Sequence, residues 1–112
     1  MNPWDPCPRY VRAMEILHKK WTWRILRCLM GDARRFTDIS TYVSGLSDRL
    51  LSQRLQELEE EGIVRRRVYA QRPVMVEYTL THKGAALRRV VEAIQRWADE
   101  WMHDEAKVEA QL

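Results

Sequence analysis

The chain is poor in the residues that build stapled, metal-bound or membrane-spanning proteins. Only two of its 112 residues are cysteines, Cys7 and Cys28. Two are too few for a disulfide framework, and no CxxC pair is present. The histidines, His18, His82 and His103, are scattered, so none of them has metal-ligand spacing. The four glycines form no phosphate-cradling loop. With no nucleophile–base set and no metal set visible, neither an enzyme nor a cofactor is expected. No apolar run approaches the ~20 residues of a membrane span. The opening MNPWDPCPRY has neither the basic start nor the apolar run of a secretory signal, which makes the cytoplasm the expected location. Repeats, low-complexity segments and internal linkers are lacking too. The length therefore reads as one domain, able to bury roughly two-thirds of its unfolded surface.

What is there is charge, unevenly placed. The net charge is +3, but residues 1–90 carry 17 basic and 10 acidic groups, and residues 91–112 carry 2 basic and 6 acidic. Arginine outnumbers lysine 15 to 4. Arginine's planar fork suits bidentate contact with phosphate and guanine. A basic body with an acidic end points to a polyanionic partner.

Hydrophobic periodicity divides the chain. After Pro6-Cys7-Pro8, Tyr10, Ala13, Met14 and Leu17 recur at three-to-four spacing, which predicts a helix over about 8–18. WTWRILRCLM places Trp21, Ile25, Cys28 and Leu29 on one side of a second helix that stops at Gly31-Asp32. RRFTDISTYVSG predicts a short third helix, capped by Thr37, with Ile39, Tyr42 and Val43 inward and Gly45 as its stop. Residues 47–62, SDRLLSQRLQELEEEG, follow within about three residues, which is the spacing of a helix-turn-helix. Ser47 is the cap, Asp48 suits the dipole, Leu46 and Leu51 can staple, and Gly62 ends the helix.

Beyond Gly62 the period changes from helical to alternating. Val74, Val76, Tyr78 and Leu80 alternate with Met75, Glu77 and Thr79, and QRP breaks IVRRRVYAQRPVMVEYTLT into a hairpin. Thr81 is then expected to cap one long helix striped by Leu87, Val90, Val91, Ile94, Trp97, Ala98, Trp101 and Met102. The expected fold is mainly α with a small β-hairpin: a winged helix-turn-helix with a long C-terminal dimerisation helix. Its parts are an N-terminal arm and helix (1–20), the helix-turn-helix (36–62), the wing (63–80), the long helix (81–104) and a polar tail (105–112).

Three constellations carry function. In the fourth helix Leu50, Leu51, Leu55 and Leu58 fall within an arc of ~140° at about 100° per residue. Arg49, Ser52, Gln53 and Gln56 lie opposite, while Glu59, Glu60 and Glu61 gather at the far end. Such donor-rich side chains address base edges and phosphates, so the N-terminal end, with Ser47, would enter a groove. A merely solvated polar face is the alternative. Arg54, nearer the apolar arc, is expected to pack along its stem or reach a phosphate. In the wing, Arg65, Arg66, Arg67 and Arg72 cluster, and Arg65, Arg67 and Arg72 are the expected backbone contacts, with Arg35 added from before the third helix. Charge that protects a strand edge is the alternative there. In the last helix Trp97 and Trp101, with Val91 and Ile94, lack a partner within so small a body. A dimer interface is expected, with Trp4, Tyr10 and Met14 of the N-terminal arm joining it. An apolar effector pocket between that helix and the core, lined by Trp21, Trp23, Trp97 and Trp101, is a further use of those rings. Cys7, between two prolines and beside Arg9 at a helix start, sits where reactive thiols are found, and is the candidate redox sensor. Cys28 reads as a small core residue.

These segments together resemble a known family. CPRYVRAMEILHKKW, RRFTDIS, LSDRLLSQRLQELEEEGIVRR and VEYTLTHKG are similar to the HxlR-type bacterial transcriptional regulators, winged helix-turn-helix proteins related in architecture to the MarR group. The resemblance covers about residues 7–100. It is most specific over Ser47–Arg66 and Val76–Thr81. It implies a homodimeric repressor on a palindromic operator in double-stranded DNA, often beside its own gene. It also implies, for some members, sensing of electrophiles or oxidants through an N-terminal cysteine, a position that Cys7 followed by Pro8 matches. Where the family has glycines before its lysine-tryptophan pair, this chain has His18-Lys19 before Lys20-Trp21, which leaves the form of that turn open. The reading from another class is a winged-helix protein-interaction module without specific DNA binding.

Overall fold

A computed structural model of the chain describes residue 5 and residues 7–103. Trp4 and the tail after His103 lie outside the described residues. The elements run α1 (Pro8–Leu17), α2 (Thr22–Gly31), β1 (Arg34–Arg35), α3 (Phe36–Tyr42), α4 (Asp48–Glu60), β2 (Val64–Tyr69), β3 (Met75–Leu80), α5 (His82–Ala85) and α6 (Arg88–Trp101). This is a winged helix-turn-helix with a small antiparallel sheet.

The core forms where the apolar arcs of α2, α3 and α4 meet. Ile25, Leu26, Ile39, Val43, Leu51, Leu55 and Leu58 are buried, and Ile63 and Val64 carry the core into the first wing strand. Phe36, Tyr78 and Leu80 pack partly buried against it. Tyr42, expected to face inward, is instead 60% exposed. Helix α3 is only seven residues long, and Ile39 and Val43 already fill its inward side.

Two boundaries differ from expectation for local reasons. The cap of α3 is Arg35 rather than Thr37: the Asp38 carboxylate accepts the Arg35 backbone N–H at 3.2 Å. Thr37 therefore lies in the first turn, where its carbonyl accepts the Thr41 hydroxyl at 2.9 Å. The single long C-terminal helix is instead divided. Thr81 does cap a helix, accepting the Gly84 N–H at 3.1 Å, but that helix is one turn long. Leu87 N–H bonds to the Gly84 carbonyl and Val90 N–H to the Leu87 carbonyl, both at 3.0 Å, so the path tightens before α6 begins. Gly84 is buried against Ile63, and a Cβ there would stand 2.1 Å from the Ile63 carbonyl oxygen. Only glycine permits that approach.

The wing is part of a three-stranded sheet, order β1-β3-β2, and not a lone hairpin. The two-residue β1 pairs Arg34 with Tyr78 and Arg35 with Glu77. On the other side β2 pairs Arg65 with Thr79, Arg66 with Tyr78 and Arg67 with Glu77. The turn between α1 and α2 is closed without glycine: Trp21 itself takes a left-handed backbone, φ 80°. That is the answer of this chain to its missing glycines.

Candidate nucleic-acid interface

Helix α4 is set in place by its own ends. The Ser47 hydroxyl oxygen accepts the Leu50 N–H at 3.1 Å, Asp48 sits in the first turn, and Gly62 turns the chain out at φ 73°. The Ser40 hydroxyl donates to Asp48 at 3.1 Å, tying α3 to the start of α4. With Leu51, Leu55 and Leu58 buried, Ser47, Arg49, Ser52, Gln53 and Gln56 stand exposed together. The two glutamines reach along the helix, Gln53 to Glu57 at 3.4 Å and Gln56 to Glu60 at 3.3 Å. Both contacts are long, so exchange for a stronger acceptor is inexpensive. Arg54 differs. Its side chain is only 14% exposed. It donates through Nε to the Lys20 carbonyl at 3.1 Å and through Nη1 to both Glu57 oxygens at 3.1 and 3.3 Å.

Strand alternation sorts the wing arginines into two sets. Residues paired across an antiparallel ladder share a face, and neighbours along a strand do not. Arg35, Glu77 and Arg67 therefore form one row, with Arg65 on the same face. The Tyr69 hydroxyl donates to Glu77 at 3.2 Å, and the Arg67 guanidinium lies 5.8 Å from the Tyr69 ring centre. Arg66 belongs to the opposite face. It lines a polar cleft of about 330 Å³ together with Ser52, Gln56, Glu59 and Tyr78. So the wing arginine that meets α4 is Arg66, which lies outside the set expected to contact a DNA backbone. Its register opposite Tyr78, a core-facing position, is the signal that identifies it. Arg72 lies exposed in the turn between β2 and β3.

The association candidates sit elsewhere. On α6 no residue is buried. Val90, Ile94, Trp97 and Trp101 fall within an arc of about 60° and are exposed, Trp101 by 66%. Tyr10, Val11 and Met14 of α1 are exposed as well. Val91 is turned toward α2: with Trp23, Arg27, Ile94, Gln95 and Ala98 it lines a mostly apolar groove of about 290 Å³, bridged by Arg27 donating to Gln95 at 3.3 Å. Of the four tryptophans expected in such a groove, Trp23 alone lines it. Trp21 lies beside the helix-turn-helix, and Trp97 and Trp101 point along the free stripe.

Cys7 is exposed and caps α1, its Sγ accepting the Tyr10 N–H at 3.4 Å. Cys28 is buried, and burial pushes its thiol up from the ordinary range, against the opposing pull of the Arg34 guanidinium. Among the described residues no group of three or more His, Cys, Asp or Glu is placed to hold a metal, and no helix is long and apolar enough to cross a membrane.

Known proteins share this arrangement. An uncharacterised HTH-type transcriptional regulator of Bacillus subtilis strain 168, YvaP, is 44% identical over 102 residues, covering 91% of this chain and 94% of its own. The HTH-type transcriptional regulator YodB of the same organism is 41% identical over 95 residues, 85% of either chain. The structure of YodB in its reduced form superposes with a TM-score of 0.80 at 39% identity, covering 88% of this chain and 97% of that one. YodB has also been solved diamide-treated and quinone-bound. The redox regulator HypR in its oxidised form gives a TM-score of 0.77 at 30% identity, over 88% of this chain and 100% of that one. The HxlR-like helix-turn-helix family itself matches residues 16–106, four-fifths of the length and every element from the end of α1 onward, and the chain belongs to that family.

Proposed function

We propose that this helix-turn-helix transcriptional regulator acts as a homodimeric repressor on a palindromic operator. Arg49, Ser52, Gln53 and Gln56 would address base edges, and Ser47 the entry of α4 into the major groove. Arg66 and the exposed Arg35, Arg65, Arg67 and Arg72 would follow the flanking backbone. The observation that carries this reading is the exposed donor-rich face of α4, held on a buried apolar arc beside an arginine-lined cleft. The free stripe of α6, with α1, supports a two-fold association that would set two recognition helices one helical turn of DNA apart. No step of this action needs an enzymatic group.

The same reading makes the regulator responsive to oxidants or electrophiles through Cys7. YodB and HypR, solved in oxidant-treated, quinone-bound or oxidised forms, are its neighbours in fold. The exposed thiol at the start of α1 is adjacent to the proposed interface, so its modification would disturb dimer geometry. The test is fluorescence anisotropy on duplex DNA from upstream of the regulator's own gene against a scrambled duplex, with and without diamide. Specific binding should exceed non-specific by at least ~10³-fold. Diamide should weaken it for the native chain and leave Cys7→Ser unaffected. Equal weak binding to both duplexes would remove operator recognition, and equal loss in Cys7→Ser would remove the sensor.

A further inference from the structure

The α1–α2 turn and the recognition helix are joined by polar contacts of a particular kind. Beyond Ile16, the end of α1 stands off from α4 across a cleft of about 160 Å³ lined by Lys19, Thr22, Glu57, Leu58 and Glu61. Ion pairs join the two sides beside that cleft: Arg12 to Glu61 at 3.1 Å and Lys19 to Glu57 at 3.2 Å. Glu57 is held from its other side by Arg54, whose Nε reaches the Lys20 carbonyl. The next residue, Trp21, is the one in a left-handed backbone, φ 80°, a conformation unfavourable for a non-glycine residue. Something must fix it there. Its ring lies against Gly45 in the helix-turn-helix turn, 3.5 Å from where a Cβ would stand, with the Lys20 ammonium and Arg24 guanidinium 5.3 and 5.1 Å from the ring centre.

We propose that Arg54 and Glu57 are positioning residues for DNA reading: they lock α4 to the α1–α2 turn, and Arg54 does not itself contact DNA. The lock rests on α4 being the reading helix. The geometry favours it over a phosphate contact. An arginine free to bind phosphate presents its fork to solvent, whereas here the Nε edge and one terminal nitrogen are already used by a main-chain carbonyl and a bidentate carboxylate. Bringing a phosphate to it would require breaking charge-assisted bonds at a largely buried site. The arrangement also places one acid, Glu57, at the point where a cation from the turn and a cation from α4 converge. The rotation of α4 about its axis, which decides where Arg49 and Gln53 point, is thereby referred to the turn.

The test uses the full-length chain and a duplex enriched from a random-sequence pool by the native protein, with a scrambled duplex beside it. A pool in which nothing is enriched would defeat the reading of α4 and the lock together. On the enriched duplex Arg54→Lys should bind about tenfold or more weakly, with unchanged affinity for the scrambled duplex and an unchanged slope of log affinity against log salt, and Arg54→Met should lose about tenfold or more beyond whatever its lost charge costs on the scrambled duplex. A phosphate contact behaves otherwise: Arg54→Lys would keep most of its affinity, and Arg54→Met would lose equally on both duplexes with a slope shallower by about 0.9. Glu57→Gln supplies the sharper sign, and serves if the Arg54 variants do not fold. Removing a carboxylate near DNA should by charge alone strengthen binding to any duplex. The lock predicts the reverse on the enriched one. Tighter or unchanged binding by Glu57→Gln would overturn the proposal.

Discussion

Helices α4 and α6 are of nearly equal length, thirteen and fourteen residues, and both are two-sided, yet they place their apolar sides in opposite ways. Helix α4 buries Leu51, Leu55 and Leu58 and shows its donors. Helix α6 buries nothing and shows Ile94, Trp97 and Trp101. The polar side of α4 is thus left over after folding is satisfied, and is free to be chosen for what it binds. The apolar side of α6 is itself unsatisfied. Covering the open half of one tryptophan is worth roughly 2 kcal/mol at 25 cal/mol per Å², so the stripe favours any surface that would cover it.

The comparison is broken most severely through Leu55 and Trp101. Leu55→Ala empties a fully enclosed place and should cost about 2–5 kcal/mol, lowering the thermal midpoint by roughly 10 °C or more at every protein concentration. Trp101→Ala should act differently. If α6 stabilises the chain by pairing copies, the native midpoint rises with concentration, and Trp101→Ala should flatten that rise while leaving the dilute midpoint close to native. Scanning calorimetry over a hundredfold concentration range distinguishes them. A Leu55-like drop for Trp101→Ala in dilute solution would mean that the ring packs within its own chain.

A smaller effect sharpens the other side of the comparison. Arg49 is exposed and outside the core, so Arg49→Ala should leave the thermal midpoint within a degree or two. Its cost should appear only on operator DNA, as about 1–3 kcal/mol of affinity and relaxed choice at one base position. Anisotropy against single-base variants of the site reads both. A loss equal on all duplexes would make Arg49 a phosphate contact and move base reading to Ser52, Gln53 and Gln56.

What the sequence made legible was whatever depends on near neighbours. The cap, first-turn acid and stopping glycine of α4 lie within sixteen residues, and all three stand in the structure as read. The α3 cap was harder, because Asp38 reaches back to the Arg35 N–H instead of a side chain reaching forward. Two arginines have no alternation to show, so strand β1 has no local signal; its existence depends on β3, some forty residues on. The break between α5 and α6 is marked by Leu87 and Val90 each bonding three residues back, and Gly84 before it packs against Ile63, whose carbonyl forbids any side chain there. Arg66 has no local mark of its own, because a run of three arginines has no inside until a partner strand sets the register. For β1, Gly84 and Arg66 the deciding contact is distant in sequence and invisible to local spacing.

Ser47 allows the two duties of α4's first turn to be separated. Its hydroxyl caps the helix, and it also stands at the end proposed to enter the groove. Ser47→Ala should cost about 1 kcal/mol of stability through the lost cap, a fall of roughly 4–8 °C, with weaker DNA binding that follows from fraying alone. Ser47→Asp should restore the cap and suit the helix dipole, bringing the midpoint back near native. Its new charge would face phosphates, so DNA affinity should stay low, with the deficit relative to the native chain largest at low salt, where repulsion is least screened. Recovery of stability without recovery of binding places the N-terminus of α4 against the DNA. If Ser47→Asp regains both, that end points away from phosphate, and the groove must be entered from another part of the helix.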